Sequence, residues 1–579
     1  MNEDPNKVVY FAETDARNRK TKFGIKIKDR SRHTYVIGKT GMGKSTLLEN
    51  LAIQDIQEGR GIAFLDPHGK TADLLLEYVP EERLKDVLYF APFDLDFPIS
   101  FNVLEDVGPD KRHLVANGLM SAFKKIWVDA WSARMEYILN NILLALLEYP
   151  DSTLIGVNRI LADEDYRKKV VEYITDPSVR SFWVDEFAKY GSKYMQEAGA
   201  SIQNKIGQFI SNPLIRNIIG QPKSTFDIRE LMDSRKILII NLSKGLAGEA
   251  NANLLGAMLI TKIYLAAMSR ADKRDAELEA LPNFYLYVDE FQNFANESFA
   301  DILSEARKYK LNLTVAHQYI EQMTEEVRAA VFGNVGTMIT FRVGAYDAEV
   351  LEKEFAPEFM ATDLVNLGFA QIYLKLMIDG VSSKPFSATT LPPVPKPAKN
   401  LRLDIIENSR ATFARKREDV ENEIRQWHEE SQKSMHSQAK SKKGNYQSPI
   451  DQALKAVLGK EPIAQSSYED KKHTHTGGAK FLSQSQKENK PGSESEREKA
   501  LRKAVSLSYL KQQSSPREKK APTEEHLKDL RSALSSIMSS SGEEKDTPPV
   551  PPQKNIDNSK KEEPKEVPED VLKKILALD

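Results

Sequence analysis

The 579-residue sequence predicts an α/β fold, built on a parallel β-sheet with helices on both faces. Short apolar runs alternate with helical patterns in residues 31–108 and again in 227–392, which is typical of parallel sheets. A glycine-rich segment, residues 38–45, joins the first of these strands to the first helix. Residues 109–226 between the two halves have helical periodicity and little strand signal, which predicts an inserted all-helical domain.

The glycine-rich segment fits the phosphate-binding loop pattern G-x-x-x-x-G-K-[ST]. A β-branched apolar run at 35–37 precedes it and helical spacing follows over 45–57, so the loop lies where a strand gives way to a helix. In such a loop the backbone N–H groups point at phosphate, Lys44 reaches the terminal phosphates and the Ser45 hydroxyl ligates Mg²⁺. The predicted nucleotide-binding residues are Gly38, Lys39, Thr40, Gly41, Met42, Gly43, Lys44, Ser45 and Thr46.

A second apolar run, residues 284–288, ends directly in the acidic pair Asp289 and Glu290. In a phosphate-loop site the first carboxylate holds Mg²⁺, directly or through water, and the second activates the attacking water. A strand that ends in two acids is common by itself, and the pair gains meaning from the phosphate loop in the same α/β pattern. We therefore predict Ser45 and Asp289 as metal ligands and Glu290 as general base.

Two further candidates follow along the chain. Residues 313–316 predict a strand that delivers Gln318 level with the other strand ends, where its amide could bond the terminal phosphate and the attacking water. Capping of a loop is the plain alternative for this glutamine. Arg307 lies near the end of a predicted helix over 298–309, where the helix dipole favours any cation.

Composition limits the classes of function. The absence of cysteine excludes disulfides, thiolate metal sites and cysteine nucleophiles. A net charge of -2 argues against a generally basic surface, so any nucleic-acid contact must come from local patches. Several aromatic and basic residues of the predicted helical domain either line a polynucleotide path or simply pack and face solvent: Lys124, Lys125, Trp127, Trp131 and Arg134.

Membrane insertion is not expected from the sequence. The chain opens on polar residues without the pattern of a signal peptide. Its most apolar stretch, residues 252–268, is shorter than the roughly 20 residues of a membrane span and contains Asn253, Thr261 and Lys262. We predict a buried helix there and no intrinsic transmembrane segment.

The two ends of the chain have their own patterns. Residues 1–30 contain two short strand patterns, at 8–11 and 23–27, which predict a small N-terminal β-cap. Residues 393–579 are rich in Ser, Lys, Glu, Gln and Pro, and we predict one charged helix over 401–427 followed by a long disordered tail.

Two short apolar islands interrupt this tail. Residues 449–458 and 568–576 share a pattern of proline, acid, leucine, lysine and then apolar residues. They are either partner-binding helices that fold on contact or amphipathic by chance.

Together these motifs resemble the TraG/TraD-like coupling proteins of conjugation and type IV secretion, which belong to the HerA and FtsK group of ATPases. The resemblance covers about residues 30–390 and rests on motifs in a fixed order: 38–45, 66–69, Asp289-Glu290, Arg307 and Gln318. It implies a RecA-like P-loop NTPase domain formed by residues 31–108 and 227–392. It also implies a homo-oligomer, a hexameric ring with ATP and Mg²⁺ between subunits, that moves DNA into a secretion channel.

The resemblance also assigns roles to individual residues. Gln318 matches the sensor after the next strand, and Arg307 matches an arginine supplied to the neighbouring subunit's nucleotide, with Arg342 as a second candidate. Many members of the family carry transmembrane helices ahead of the motor, whereas this sequence begins almost at the β-cap. We therefore expect a cytoplasmic motor that is either recruited to the inner face of the membrane by a partner or not part of a secretion channel at all. Channel or relaxosome proteins are the expected partners, reached through the tail.

Two other functions fit the same motifs. One is a secretion or assembly ATPase that acts on protein substrates without DNA. The other is a non-hydrolysing, nucleotide-gated scaffold, against which the presence of Glu290 and Gln318 beside the metal ligands argues. Stimulation of ATP turnover by nucleic acid distinguishes the DNA motor from the protein-handling ATPase. ATP turnover itself distinguishes the motor from the scaffold.

Overall fold

A computed structural model of the chain describes residues 3–15, 20–127, 130–190, 192–295 and 298–429. The predicted disordered tail and its two apolar islands lie outside the described residues. The strands are β1 (Val8–Thr14), β2 (Lys22–Lys26), β3 (Thr34–Ile37), β4 (Gly61–Asp66), β5 (Val87–Phe90), β6 (Ile237–Asn241), β7 (Phe284–Val288), β8 (Leu311–His317), β9 (Thr337–Thr340), β10 (Gln371–Lys375), β11 (Met377–Ile378), β12 (Val381–Ser382) and β13 (Phe386–Thr390).

Eleven of these strands form one sheet within the described residues, in the order β2-β1-β13-β10-β9-β3-β8-β7-β4-β6-β5. The seven neighbours from β9 to β5 pair in parallel, whereas β10, β13, β1 and β2 pair antiparallel. This confirms the predicted α/β fold and its parallel sheet, to which the structure adds four antiparallel strands. Since parallel strands share a direction, the carboxyl ends of all seven lie at one edge.

Helices cover both faces of the sheet. Each face of the sheet has its own hydrophobic core. Tyr35 and Ile37 of β3 belong to the core that the helices between β5 and β6 complete. Val36 of the same strand belongs to the core that contains the first two helices. The helices are α1 (Lys44–Gln57), α2 (Lys70–Glu77), α3 (Arg112–Ile126), α4 (Ala133–Glu148), α5 (Gly156–Ala162), α6 (Glu164–Tyr173), α7 (Pro177–Ser181), α8 (Ser192–Ile210), α9 (Pro213–Ile219), α10 (Ile228–Asp233), α11 (Lys244–Ala247), α12 (Glu249–Ser269), α13 (Asp275–Ala280), α14 (Ser298–Glu305), α15 (Glu325–Asn334), α16 (Ala345–Phe355), α17 (Ala361–Val365), α18 (Arg402–Phe413) and a last helix at 417–429.

The stretch between β5 and β6 is helical, as the sequence predicts. Its elements in the described residues run from α3 to α10, joined by short 3₁₀ and π turns. Helix α12, which follows β6, packs against α3 and α10. It belongs to the one described helix, Glu249–Asp272, that is long and apolar enough to cross a membrane, and 67% of its most apolar window is buried inside the protein. The predicted burial of this helix is therefore confirmed.

A buried ion network fixes the helix after the phosphate loop to the sheet. Asp55 on α1 accepts two hydrogen bonds from the guanidinium of Arg30, at 2.7 and 2.8 Å, and one from Arg60 at 2.9 Å. The hydroxyl of Tyr287 on β7 donates to the same carboxylate at 2.6 Å. All four groups are buried, and the hydrogen bonds between them compensate the cost of removing the charges from water. Helix α1 and the strand that leads to Asp289 are thereby held in register.

The N-terminal strands β1 and β2 extend one end of the main sheet. β1 and β2 pair as predicted, but β1 also pairs with β13, a strand that the sequence analysis missed. β13 returns antiparallel to β10 just before the proline-rich segment that ends the sheet. The hairpin therefore forms the antiparallel edge of the same layer.

The prediction of one charged helix over 401–427 is wrong. The segment forms two helices, broken where Ala414 bridges to Ile99 and the Arg415 N–H donates to the Pro98 carbonyl at 3.1 Å. Ile405 and Val420 are fully buried, so both helices pack on the globular part. The folded part of the protein therefore extends well beyond residue 393. The sequence analysis missed this because the few apolar residues of these two helices lie among many charged ones.

Candidate active site

The candidate catalytic residues meet at the carboxyl edge of the parallel strands. β3 is the central strand of the sheet and leads into the phosphate loop. Its neighbour β8 ends next to Gln318, and β7, on the other side of β8, ends next to Asp289. Ile37 pairs with His317 on one side and with Thr340 on the other, so these strand ends lie level. The edge position follows from parallel pairing and was the basis of the prediction.

Close packing and a left-handed backbone explain two glycines of the phosphate loop, Gly38 and Gly43. Gly38 lies against Phe341, the residue after β9, and a Cβ on Gly38 would lie 2.5 Å from the Phe341 Cβ. Gly43 has φ of 114°, a left-handed conformation that side chains avoid, and it immediately precedes α1. The Lys39 N–H donates to the Arg342 carbonyl at 2.8 Å, which ties the loop to the end of β9.

Lys44 presents a positive charge inside the loop. Its ammonium donates to the carbonyls of Gly38 at 2.6 Å and Lys39 at 3.3 Å, and only 5% of the residue is exposed. Burial lowers the pKa of Lys44, although nearby Glu290 and Asp289 act in the opposite direction. Neutral carbonyls hold the ammonium, so its charge remains available to a phosphate, and the loop fits a nucleotide phosphate group.

Ser45 and Asp289 form the predicted oxygen pair. The Ser45 hydroxyl donates to Asp289 Oδ2 at 3.1 Å, and Asp289 is 3% exposed. Burial, and then the charges of Glu290 and Asp66, raise the pKa of Asp289 to about 6. The described residues contain no group of three or more His, Cys, Asp or Glu side chains that could hold a metal. The hydroxyl and carboxylate oxygens of the Ser45–Asp289 pair fit Mg²⁺, which takes one or two protein oxygens together with substrate phosphates.

Glu290 is held by two glutamine amides. Its backbone is left-handed, with φ of 47°, and its N–H donates to Asp289 Oδ1 at 2.9 Å. Gln318 donates to one carboxylate oxygen and Gln292 donates to the other at 2.5 Å. Such donors fix the direction of the carboxylate while each oxygen keeps a further lone pair for a water. The structure thus brings Gln318 to Glu290, and it adds Gln292, which the sequence analysis missed although it lies two residues beyond the acidic pair.

Two neighbouring polar residues have structural roles. Asp66, at the end of β4, accepts hydrogen bonds from the N–H groups of His68 at 2.8 Å and Ala72 at 2.9 Å, which fixes the start of α2. His317, fully buried at the end of β8, lies 3.1 Å from the Tyr35 hydroxyl through Nδ1. Burial, together with the charges of Lys44 and Lys125, lowers the pKa of His317 to about 3. It stays neutral at physiological pH and supplies no cation to the site.

The two candidate arginines lie at opposite edges of the sheet. Arg342 follows β9 at the carboxyl edge, and its carbonyl contacts the phosphate loop of its own chain. Arg307 is exposed in the 3₁₀ turn before β8, at the amino edge, and lies in a cleft that Arg60 and Asn283 also line. Seven strand residues, spanning about 20 Å, separate this turn from the site. Arg307 therefore cannot reach the phosphate loop of its own chain.

Comparison with known proteins places the chain in a family. Residues 2–342, more than half of the sequence and all of the site described above, match the family model for type IV secretory system conjugative DNA transfer. The chain belongs to this family. The resemblance to the coupling proteins of conjugation, predicted from the motifs, is confirmed at this level. The comparison with curated proteins finds no match.

Solved structures with similar folds include two forms of the plasmid coupling protein TrwB. The complex with a non-hydrolysable ATP analogue is 14% identical, with a TM-score of 0.49 over 69% of this chain and 98% of that one. The complex with ADP and Mg²⁺ is 15% identical, with a TM-score of 0.48 over 66% of this chain and 89% of that one. VirB4 of Thermoanaerobacter pseudethanolicus is 13% identical, with a TM-score of 0.44 over 67% and 97%.

The raised pKa of Asp289 predicts a stabilising substitution. The folded protein binds this proton more tightly than the unfolded chain, so stability falls as pH rises from about 4 to 6 and stays lower above that range. Asp289→Asn removes this cost of about 3 kcal/mol and loses one hydrogen bond worth about 1 kcal/mol, which leaves a net gain of about 2 kcal/mol. Denaturant unfolding without nucleotide at pH 7.5 measures the gain.

The same titration at pH 4.5 serves as the control. There most of the wild-type carboxyl is protonated, so the advantage of Asp289→Asn should shrink toward zero or reverse by the lost hydrogen bond. A variant less stable than wild type at pH 7.5 would contradict the assignment of a strained, ionised Asp289.

Proposed function

We propose that this chain is an ATP-hydrolysing, ring-forming motor that translocates DNA and delivers it to a type IV secretion channel. The observation that carries the proposal is the convergence of Lys44, the Ser45–Asp289 pair and the Gln318–Glu290 pair at one sheet edge. Membership of a conjugative DNA transfer family supplies the substrate class. A non-hydrolysing scaffold would need the phosphate loop but not an oriented general base.

Nucleotide binding follows from the loop. The backbone N–H groups of residues 41–46 and the start of α1 offer donors and a positive dipole end to the β- and γ-phosphates. Lys44 adds a full charge at the same place. Ser45 and Asp289 would hold Mg²⁺, which would neutralise phosphate charge when bound. Its charge would also favour the ionised form of Asp289, whose pKa is raised by burial and then by the charges of Glu290 and Asp66.

Glu290 is the group best placed to activate the attacking water. Its carboxylate is oriented by Gln318 and Gln292 and lies next to the metal-binding carboxylate. Gln318 follows β8, and β8 pairs directly with β3, the strand that leads into the phosphate loop. A change at the γ-phosphate would therefore be transmitted to Gln318 through two hydrogen-bonded strands. We assign Glu290 as the general base. We assign Gln318 as the residue that couples the position of the Glu290 carboxylate to β8.

Arg307 is assigned to the neighbouring subunit's nucleotide. Its exposure and its place at the edge opposite its own phosphate loop support action in trans, in a ring where one subunit's amino edge faces the next subunit's site. An arginine supplied in this way stabilises the charge on the transferring phosphoryl group. Arg342 remains the second candidate, and its position beside its own loop favours a role within one subunit.

The partners follow from the family. DNA would contact local basic patches in the ring, since the net charge of the chain is -2. We place the motor at the cytoplasmic face of the membrane, bound to channel or relaxosome proteins through residues of the tail. A hexamer is the proposed ring.

Steady-state ATP hydrolysis with and without DNA tests the function. We expect turnover that single- or double-stranded DNA stimulates, and a fall of about 10²–10³-fold in Lys44→Ala, since the variant loses the cation at the transferring phosphate. Turnover that is indifferent to DNA would contradict the DNA motor and favour an ATPase acting on proteins. Absence of turnover in the wild type would favour the scaffold.

Complementation between two inactive variants tests the shared site. Arg307→Ala keeps an intact phosphate loop and Lys44→Ala keeps an intact Arg307, and we expect each alone to be inactive, with a loss of about 10³-fold or more for Arg307→Ala. Random mixing before ring assembly makes about a quarter of the interfaces complete, so activity should reappear in proportion. The same mixture with Arg342→Ala is the matched comparison. Recovery only with Arg342→Ala would reverse the assignment.

A further inference from the structure

The segment that follows Glu290 is anchored on one side by aromatic packing. Residues 291–295 begin with a 3₁₀ turn, Phe291–Asn293. The Phe291 ring lies 4.4 Å from the Phe299 ring, and the Phe294 ring lies so close to Gly256 on α12 that a Cβ there would be 2.3 Å from it. The side chains of this segment are therefore held by α12 and α14, and its conformation decides where the Gln292 amide points.

The other side of the segment is held by one lysine from the helical stretch between β5 and β6. Lys125, in the last turn of α3, donates from its ammonium to the Gln292 carbonyl at 2.5 Å and also to the Ala295 carbonyl. Burial lowers the pKa of Lys125 to about 8, so the group is mainly protonated at neutral pH. A charged donor that bridges two carbonyls fixes the backbone between them, because charge-assisted hydrogen bonds are the stronger kind.

A short chain of contacts then leads from α3 to the reacting group. Lys125 binds the Gln292 carbonyl, and the Gln292 side chain donates to Glu290 Oε2. Glu290 has a left-handed backbone immediately before the 3₁₀ turn, so the direction of its carboxylate depends on how that turn is held.

We propose that Lys125 is a positioning residue for ATP hydrolysis, by which the inserted helical segment sets the orientation of the general base Glu290. This proposal rests on the proposed function, and it adds how the rate of ATP hydrolysis would be controlled. A displacement of α3, for example by a substrate or partner that contacts the helical segment, would alter the hold on residues 291–295 and so the rate of water activation. Nucleotide binding at Lys44 and Ser45 would not change, since the hydrogen bonds of these residues go to Gly38, Lys39 and Asp289 and not to this segment.

Lys125→Met tests the proposal, because methionine keeps most of the aliphatic stem and removes the donor. We expect kcat to fall about tenfold, in the range typical of residues that orient a catalytic group, while the Kd of an ATP analogue stays within about twofold. Lys169→Met is the matched control, since Lys169 is an exposed lysine on α6 of the same helical stretch. An unchanged or increased kcat in Lys125→Met, or an equal fall in the control, would overturn the proposal.

Hydrogen exchange gives a readout that does not need turnover. The N–H groups of Asn293, Phe294 and Ala295 donate to the carbonyls of Glu290 and Phe291, so they should be protected in the wild type. We expect loss of this protection in Lys125→Met and in Lys125→Gln, and none in Lys169→Met. Retained protection would overturn the proposal. If the wild type fails to hydrolyse ATP, the proposed function fails, and exchange still decides whether Lys125 holds the segment.

A double-mutant cycle separates positioning from a general loss of stability. If Lys125 acts through Gln292, Gln292→Ala should lower kcat by a similar factor, and the double variant should be no slower than the slower single variant. Multiplied effects in the double variant would show independent action and overturn the proposed route.

Discussion

The site depends on parallel pairing of the central strands. β3 pairs with β8 and β9, and β8 pairs with β7, so these four strands end at one edge although β3 is far from the other three in sequence. The polar groups of the site lie in the loops, turns and first helical turn that follow these strand ends. A change of register by one residue would turn these side chains to other directions, which is why the buried faces of the strands matter as much as the motifs.

Electrostatic cost is concentrated in the same place. Asp289 and Glu290 are both buried, and burial first, then the charge of Glu290, raises the pKa of Asp289, so the ionised Asp289 is held at a cost in stability. Lys44 is buried nearby, its ammonium donates to backbone carbonyls, and burial lowers its pKa. A phosphate and a divalent cation would relieve both conditions at once, so the site is arranged for a ligand and is strained without one.

The sequence was sufficient for the residues that lie at strand ends. Ser45, Asp289, Glu290 and Gln318 follow apolar runs, and the edge of a parallel sheet brings such positions together whatever the intervening sequence. Contacts with no local pattern were not predictable. Gln292 binds Glu290 through a turn, Lys125 binds backbone carbonyls, and β13 is placed by pairing over long sequence separations.

The central claim is that Glu290 is the base of a hydrolytic nucleotide site, and the most direct measurement compares nucleotide binding and turnover in Glu290→Gln. The glutamine keeps the shape of the side chain and removes its basicity. We predict nucleotide affinity within about twofold of wild type and turnover reduced by about 10²–10⁴-fold, the usual contribution of general base catalysis. Turnover within a few-fold of wild type would contradict the account, as would loss of nucleotide binding.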